Sequence, residues 1–366
     1  MATNISNNKR EKNHNSFLKN PYAFKPVYVG IDVHKQTYSV VTVFEGVIIK
    51  KWRTVANPEK LAQQLKNYFP GAFIETAYES GFSGFVLHRV LEKAGIHNIV
   101  VNPGSMEVAV HNRVKTDKRD ALKIATLNEA GRLKGIRVPT PQQEQQRLLT
   151  RTRQQLVEDR SAIKNKIRMK CHQMGLIDSD DPREMSHKLV SQMLSRTPSP
   201  EFSLAIEAYW QVWKTIETQI NLIEQKLSEQ AQIDPHETIY RSAPGIGFLS
   251  ARILSNELGD LTQFDNERQL FSYTGLTPSE FSSGESIRKG HITRQGNKRV
   301  RYILNQAAWR AIKKDRELKE FFERLYPRTG KKRAIVAVAR KLIGRIRAAF
   351  KTGKPYQMNP ISLQPA

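Results

Sequence analysis

Tyr28-Val29-Gly30-Ile31-Asp32-Val33-His34-Lys35 is the stretch that decides how the rest of this chain folds. Residues 28–33 are β-rich and carry a carboxylate, Asp32, one residue from their end, with a histidine and a lysine at 34 and 35. Outward from this run the pattern continues. Thr37–Phe44 alternates and is β-branched, and Gly46–Trp52 follows a turn at Glu45-Gly46, so the three runs form a meander. Asn57-Pro58 is a helix start, with Asn as N-cap and Pro at the first helical position, and the helix runs to about Tyr68. Ala72–Ala77 is a buried strand that delivers Glu79 at its end. Phe82–Ala94 is a helix stopped by Gly95, and Asn98–Val101 is a further strand.

Three antiparallel strands followed by alternating helices and strands describe a ribonuclease-H-like α/β domain over 27–139, behind a flexible basic tail at 1–26. From Thr140 the composition turns to Gln, Arg and Glu with helical periodicity. Leu149, Leu156 and Ile163 fall seven apart, and Ile167, Cys171 and Met174 continue that face. After breaks at Asp178–Pro182 and Thr197–Pro200, the residues Ile206, Tyr209, Trp213, Ile216, Ile220, Ile223 and Leu227 step by three and four. This 140–237 region reads equally as an antiparallel hairpin packed on itself or as an intermolecular coiled coil. Cys171, on the apolar face, reads as core. A mainly helical domain spans 238–354, with a tail at 355–366.

The chain has 366 residues, room for about two or three domains. It carries 59 Lys+Arg against 35 Asp+Glu, a formal net charge of +24, which points to a polyanionic partner. From Glu285 to Lys354 there are 22 Lys/Arg and 5 Asp/Glu, so the excess concentrates in the last fifth of the chain. A hydrophobic content of 39% excludes full disorder, and one cysteine excludes an intrachain disulfide framework or a multi-cysteine zinc site. No apolar run reaches the ~18 residues of a membrane helix, and a signal-like apolar block is missing, so a cytoplasmic protein with no membrane partner is expected.

The chemistry centres on four carboxylates. Asp32 closes the first, central strand, and Glu79 closes its neighbour. Asp117 and Asp120 lie three apart in Lys115-Thr116-Asp117-Lys118-Arg119-Asp120-Ala121, which opens a helix, so both face one way. Gathered carboxylates repel unless cations sit between them, and hard oxygen ligands suit Mg²⁺; two such ions would clamp a phosphodiester. Each carboxylate alone also has a bland explanation, such as helix capping. His34, two residues further on, reads as structural or substrate-contacting.

Toward the C-terminus, Ala243-Pro244-Gly245-Ile246-Gly247 reads as a helix-hairpin-helix turn in which Gly245 and Gly247 let the backbone approach a phosphate. A plain helix–helix turn is the alternative. The run Phe281-Ser282-Ser283-Gly284 leads into Arg288, Lys289, Arg294, Lys298 and Arg299, which can hold a phosphate backbone. Ser283 is a candidate nucleophile on phosphorus, although composition alone favours an ordinary loop. Trp309, Tyr302, Phe321, Phe322 and Tyr326 interleave with the basic residues, mostly as core, with one or two free to stack on bases.

The ordered set Gly30-Ile31-Asp32-Val33-His34-Lys35, Tyr78-Glu79-Ser80-Gly81, Lys115-Thr116-Asp117 with Asp120-Ala121, Pro244-Gly245-Ile246-Gly247, Tyr273-Thr274-Gly275-Leu276-Thr277-Pro278, Ser283-Gly284 and Gly296-Asn297-Lys298-Arg299 resembles the DEDD insertion-sequence transposases, number one hundred and ten in the insertion-sequence series, which include Piv-type DNA invertases. The resemblance runs from about Tyr28 to Phe350. It implies a RuvC-like N-terminal domain with Asp32, Glu79, Asp117 and Asp120 as metal ligands. It also implies a coiled-coil linker and a C-terminal transposase domain with Ser283 as nucleophile; Ser282, adjacent in the tandem, is the fallback. Lys115, Gly245 and Gly247 would join the basic residues in contacting nucleic acid. Expected partners are donor and target DNA, a structured non-coding bridge RNA and further copies of the chain, as a dimer or tetramer. A RuvC-type junction nuclease without a serine intermediate, and a non-catalytic nucleic-acid-binding protein, are the competing readings.

Overall fold

The structure, a computed structural model, describes residues 21–105, 117–178, 180–182, 184–196, 199–280 and 289–358; of Ser105, Asp117, Lys118 and Lys289 it describes the backbone. The chain forms two compact units, 1–138 and 139–366. It is a mixed α/β protein in which helix predominates.

The first unit is built on β1 (Pro26–Val33), β2 (Thr37–Phe44), β3 (Val47–Val55), α1 (Pro58–Tyr68), β4 (Phe73–Glu79), α2 (Val86–Lys93), β5 (His97–Val101) and α3 (Asp117–Glu129). The five strands form one sheet in the order β3-β2-β1-β4-β5. The meander β1–β2–β3 is antiparallel, and β1–β4 and β4–β5 are parallel. β1 is therefore central. Packing reaches back past residue 26, because the Tyr22 ring meets Phe44 and Phe69 edge-on.

Alternation along β1 sorts the two faces. Val27, Val29 and Ile31 point into a core with Tyr38, Val40, Leu61, Leu65, Tyr78, Leu87 and Leu91, which α1 and α2 close. α1 is started by Asn57, whose side chain accepts from the Lys60 N–H at 2.7 Å. Gly30 belongs to the opposite face. A Cβ there would lie 1.9 Å from the Ala121 carbonyl oxygen and 2.6 Å from the Ala125 nitrogen, so α3 lies backbone to backbone on β1. Ala121 and Ala125 complete that contact with Val41 and Val43 of β2.

The second unit opens with a helical hairpin. α4 (Pro141–Gln173) and α6 (Pro200–Gln232) flank the short α5 (His187–Ser195). Both long helices start on a hydroxyl cap followed by proline: Thr140 forms a reciprocal capping box with Gln143, and Ser199 accepts from Phe202. The pairs Arg153–Glu224 and Arg160–Glu217, and Lys164 over the Trp213 ring, run in opposite sequence directions, so the two helices pack antiparallel within one chain. Ile206, Trp213, Ile220 and Leu227, seven apart, are buried on this seam, and Cys171 is buried beside Ile163 and Ile167. The hairpin reading of the heptads is the one realised in the chain.

The remaining elements are α7 (His236–Ser242), α8 (Phe248–Leu258), α9 (Glu267–Thr274), the ribbon β6 (Pro278–Glu280) and β7 (Lys289–Ile292), α10 (Lys298–Ala311), α11 (Arg316–Thr329) and α12 (Lys331–Thr352). They share one core, with Leu254, Leu304, Val338 and Leu342 fully buried. Phe321, Phe322 and Trp309 pack against it, whereas Tyr302 and Tyr326 stay exposed. Among the described residues no helix is long and apolar enough to cross a membrane.

Candidate active site

The sheet register decides which carboxylates share an edge. Ile31 pairs with Tyr78 across the parallel β1–β4 contact, and the next residues are Asp32 and Glu79. The two acids therefore end neighbouring strands at the same level. By alternation they lie on the face of Gly30 and Ala77, the face that α3 covers. α3 begins at Asp117 and reaches Gly30 with Ala121, so Asp120 sits one residue before the point of closest approach. Asp32, Glu79 and Asp120 are thus brought to one end of one face.

Among the described residues no three His, Cys, Asp or Glu side chains stand close enough to hold a metal ion. The side chain of Asp117 lies outside the described residues, as do Lys115 and the whole of 281–288 with Ser282, Ser283 and Arg288. The donor chemistry still suits a hard divalent cation, since the grouped residues offer carboxylate oxygens and no sulfur.

His34 stands beside the acid. It lies two residues past Asp32, so period-two alternation puts both on one face, and His34 Nε2 comes 3.1 Å from Asp32 Oδ2.

Replacing Gly30 by alanine tests the close approach. The added carbon has backbone on two sides and no side chain that could yield, so α3 must lift from β1. We expect a stability loss of about 1–3 kcal/mol or more, read as a lower urea midpoint at unchanged slope.

The glycines of the 243–247 turn behave differently from each other. Gly245, at φ +80°, would place a Cβ 2.4 Å from the Ala307 carbonyl oxygen, so its missing side chain serves packing against α10. Gly247 has open space around it and leads directly into α8. The N-terminus of α10 carries the basic set: Lys298 and Arg294 are exposed and Arg299 is half-buried, with Arg294 in the left-handed region at φ 56°. The helix is capped by Asn297, which accepts from the N–H groups of Arg299 and Val300.

One residue of this region had escaped the sequence reading. Glu257, on α8, is fully buried and bonded to Arg151. Burial pushes its carboxyl upward, but the Arg151 bonds and charge, Arg147 and the Asn297 amide outweigh that and hold it below the usual range.

Two family models match the chain, both of transposases. A DEDD transposase model of the IS110 type matches residues 29–174, and the transposase IS116/IS110/IS902 model matches residues 237–323. A putative transposase of Sinorhizobium fredii, y4qE, is 28% identical over 298 residues, covering 78% of this chain and 72% of its own. The transposase of insertion sequence element IS1533 from Leptospira borgpetersenii is 26% identical over 351 residues, 90% of this chain and 97% of its own. That of IS1111A from Coxiella burnetii is 26% identical over 260 residues, covering 69% and 71%. These are insertion-sequence transposases, the class of enzyme that binds, cuts and rejoins DNA. The chain belongs to the IS110 family of DEDD transposases, as its ordered motifs implied. DEDD transposase domains generally depend on a divalent metal.

Proposed function

We propose that this chain is the recombinase of a mobile insertion sequence and that it works through a 5′-phosphoserine intermediate. Its first unit is read as a RuvC-like, ribonuclease-H-type domain. The observation that carries this is the sheet order β3-β2-β1-β4-β5, with Asp32 and Glu79 ending adjacent parallel strands beneath the start of α3. Asp32, Glu79, Asp117 and Asp120 would hold Mg²⁺, as two ions. When bound, the metal would supply charge neutralisation at the scissile phosphate and favour the ionised serine.

In this reading the Ser283 oxygen attacks phosphorus and loses its proton. The new Oγ–P bond replaces the P–O3′ bond, and the leaving 3′ oxygen takes up a proton as a free hydroxyl. That hydroxyl later attacks the phosphoserine of a partner strand and releases the serine, so no energy-rich cofactor is consumed. Ser282 is the fallback nucleophile. Arg288, Lys289, Arg294, Lys298 and Arg299 would hold the backbone on either side, joined by Lys115 and by the open amides after Gly247. Gly245 would act one step removed, by setting that turn against α10. Exchange of two strands needs more than one nucleophile, hence an assembly of several copies. The α4–α6 hairpin would serve as the coiled-coil spacer between the catalytic domains, and DNA binding would keep the protein at the nucleoid.

Choice of donor and target would come from a bridge RNA. Purification of the full chain under low salt, followed by sequencing of the RNA that travels with it, tests this. We expect one discrete structured species transcribed from DNA flanking the element; a random sample of cellular RNA would contradict it.

A further inference from the structure

Glu257 gathers three elements on one buried carboxylate. Arg151 of α4 grips it through two bonds, Nε to Oε1 at 2.8 Å and Nη2 to Oε2 at 2.9 Å. Arg147, one turn earlier on α4, donates to the backbone carbonyls of Asn256 and Glu257 at 2.9 and 3.1 Å. On the other side Asn297 Nδ2 donates to Glu257 Oε2 at 2.8 Å. Asn297 spends its remaining groups locally. Its Oδ1 accepts from Arg299 and Val300, and its N–H donates to the Tyr273 carbonyl at 2.8 Å.

That asparagine stands where two chain segments cross in backbone contact. A Cβ on Gly275 would lie 2.3 Å from the Gln295 carbonyl oxygen, and one on Gly296 would lie 2.2 Å from that of Tyr273. Arg301 Nη1 donates to the Thr274 carbonyl at 2.9 Å, and the Thr293 N–H to Thr277 at 2.8 Å. The crossing segments are the one that enters β6 and the one that leaves β7. Ser283 lies in the sequence between those two strands.

We propose that Glu257 is a positioning residue for the serine nucleophile: through Asn297 it fixes the root of the β6–β7 ribbon to α8 and, through Arg151, to α4. The inference rests on the serine reading above. A carboxylate buried for the sake of an ion pair is a poor way to gain stability, even with Arg151 half-exposed, because its desolvation offsets the attraction; the attested use of such a pair is to fix one geometry among several. Here the third bond of the carboxylate goes to the ribbon root rather than to the core. Loosening that root displaces the reacting oxygen, and a shift of about 1 Å at the chemistry costs on the order of 10²-fold in rate.

The test uses the full chain with its co-purified RNA and a plasmid bearing the element's ends, in four forms: wild type, Glu257→Gln, Asn297→Ala and the double variant. Glu257→Gln keeps the shape and one acceptor. Asn297→Ala, at a half-buried helix cap, stands in should the first fail to fold. We expect each single change to lower the maximal recombination rate about 10²-fold while the half-saturating DNA concentration stays within about twofold. The double variant should be no slower than either single, since both break one link. Rate and half-saturation moving together, or losses that multiply in the double variant, would reduce Glu257 to a structural residue. A wild-type rate in Glu257→Gln, with Ser283→Ala inactive, would overturn this proposal alone. A wild-type rate in both Ser283→Ala and Ser282→Ala would overturn the serine reading and this proposal with it.

Discussion

Asp32→Ala is expected to lower DNA cleavage by about 10³-fold or more while leaving DNA affinity nearly unchanged. The reasoning starts from position. Asp32 lies one residue from the end of the central strand, paired on one side with Ser39 of β2 and flanked on the other by the strand that ends on Glu79. A carboxylate at that place does no packing work, since it is the interior residues Val29 and Ile31 that fill the core. Its removal therefore costs the fold little. It would cost the reaction several kcal/mol of charge stabilisation, at 1.36 kcal/mol for each tenfold in rate. The basic residues proposed to grip the backbone lie at the far end of the chain and are untouched. Cleavage of an end-bearing DNA, measured beside filter binding, separates the two quantities. Weakened binding with cleavage reduced only in proportion would make Asp32 a binding residue.

Ser283→Ala carries the second large effect. If the phosphodiester is handed from DNA to Ser283 and back, loss of that hydroxyl removes the atom that accepts it, and recombination should fall by about 10³-fold or more. Ser282→Ala should retain most of it, because the neighbouring hydroxyl remains. A metal-activated water route makes the opposite forecast: both serine variants would cleave at the wild-type rate. The pair of variants thus distinguishes the nucleophile's register as well as its existence.

Much of the first unit was legible in the sequence because its signals are local. The meander announces itself by alternation and a Glu45-Gly46 turn, and both residues indeed take positive φ there. Asn57-Pro58 fixes a helix start to the residue. The helix expected from Phe82 instead begins at Val86. The Ser80–Gly84 segment turns, Gly84 at φ +61°, and leaves Phe82 exposed, which apolar content alone could not reveal.

What stayed hidden depends on distant partners. Heptads at 206–227 specify a buried seam but not which helix fills it; within the chain, Arg153–Glu224 and Arg160–Glu217 show α4 lying along it. Glu257 sits in Leu254-Ser255-Asn256-Glu257-Leu258 like any helical glutamate. Its partners lie 106 and 40 residues away, so nothing nearby marks it as buried.

The measurement that bears most directly on the central claim is a denaturing gel of the protein after reaction with labelled DNA carrying the element's ends. The account predicts a labelled adduct that survives denaturation, requires Mg²⁺, and vanishes in both Asp32→Ala and Ser283→Ala. Cleaved DNA without any adduct, formed equally well by Ser283→Ala, would contradict it.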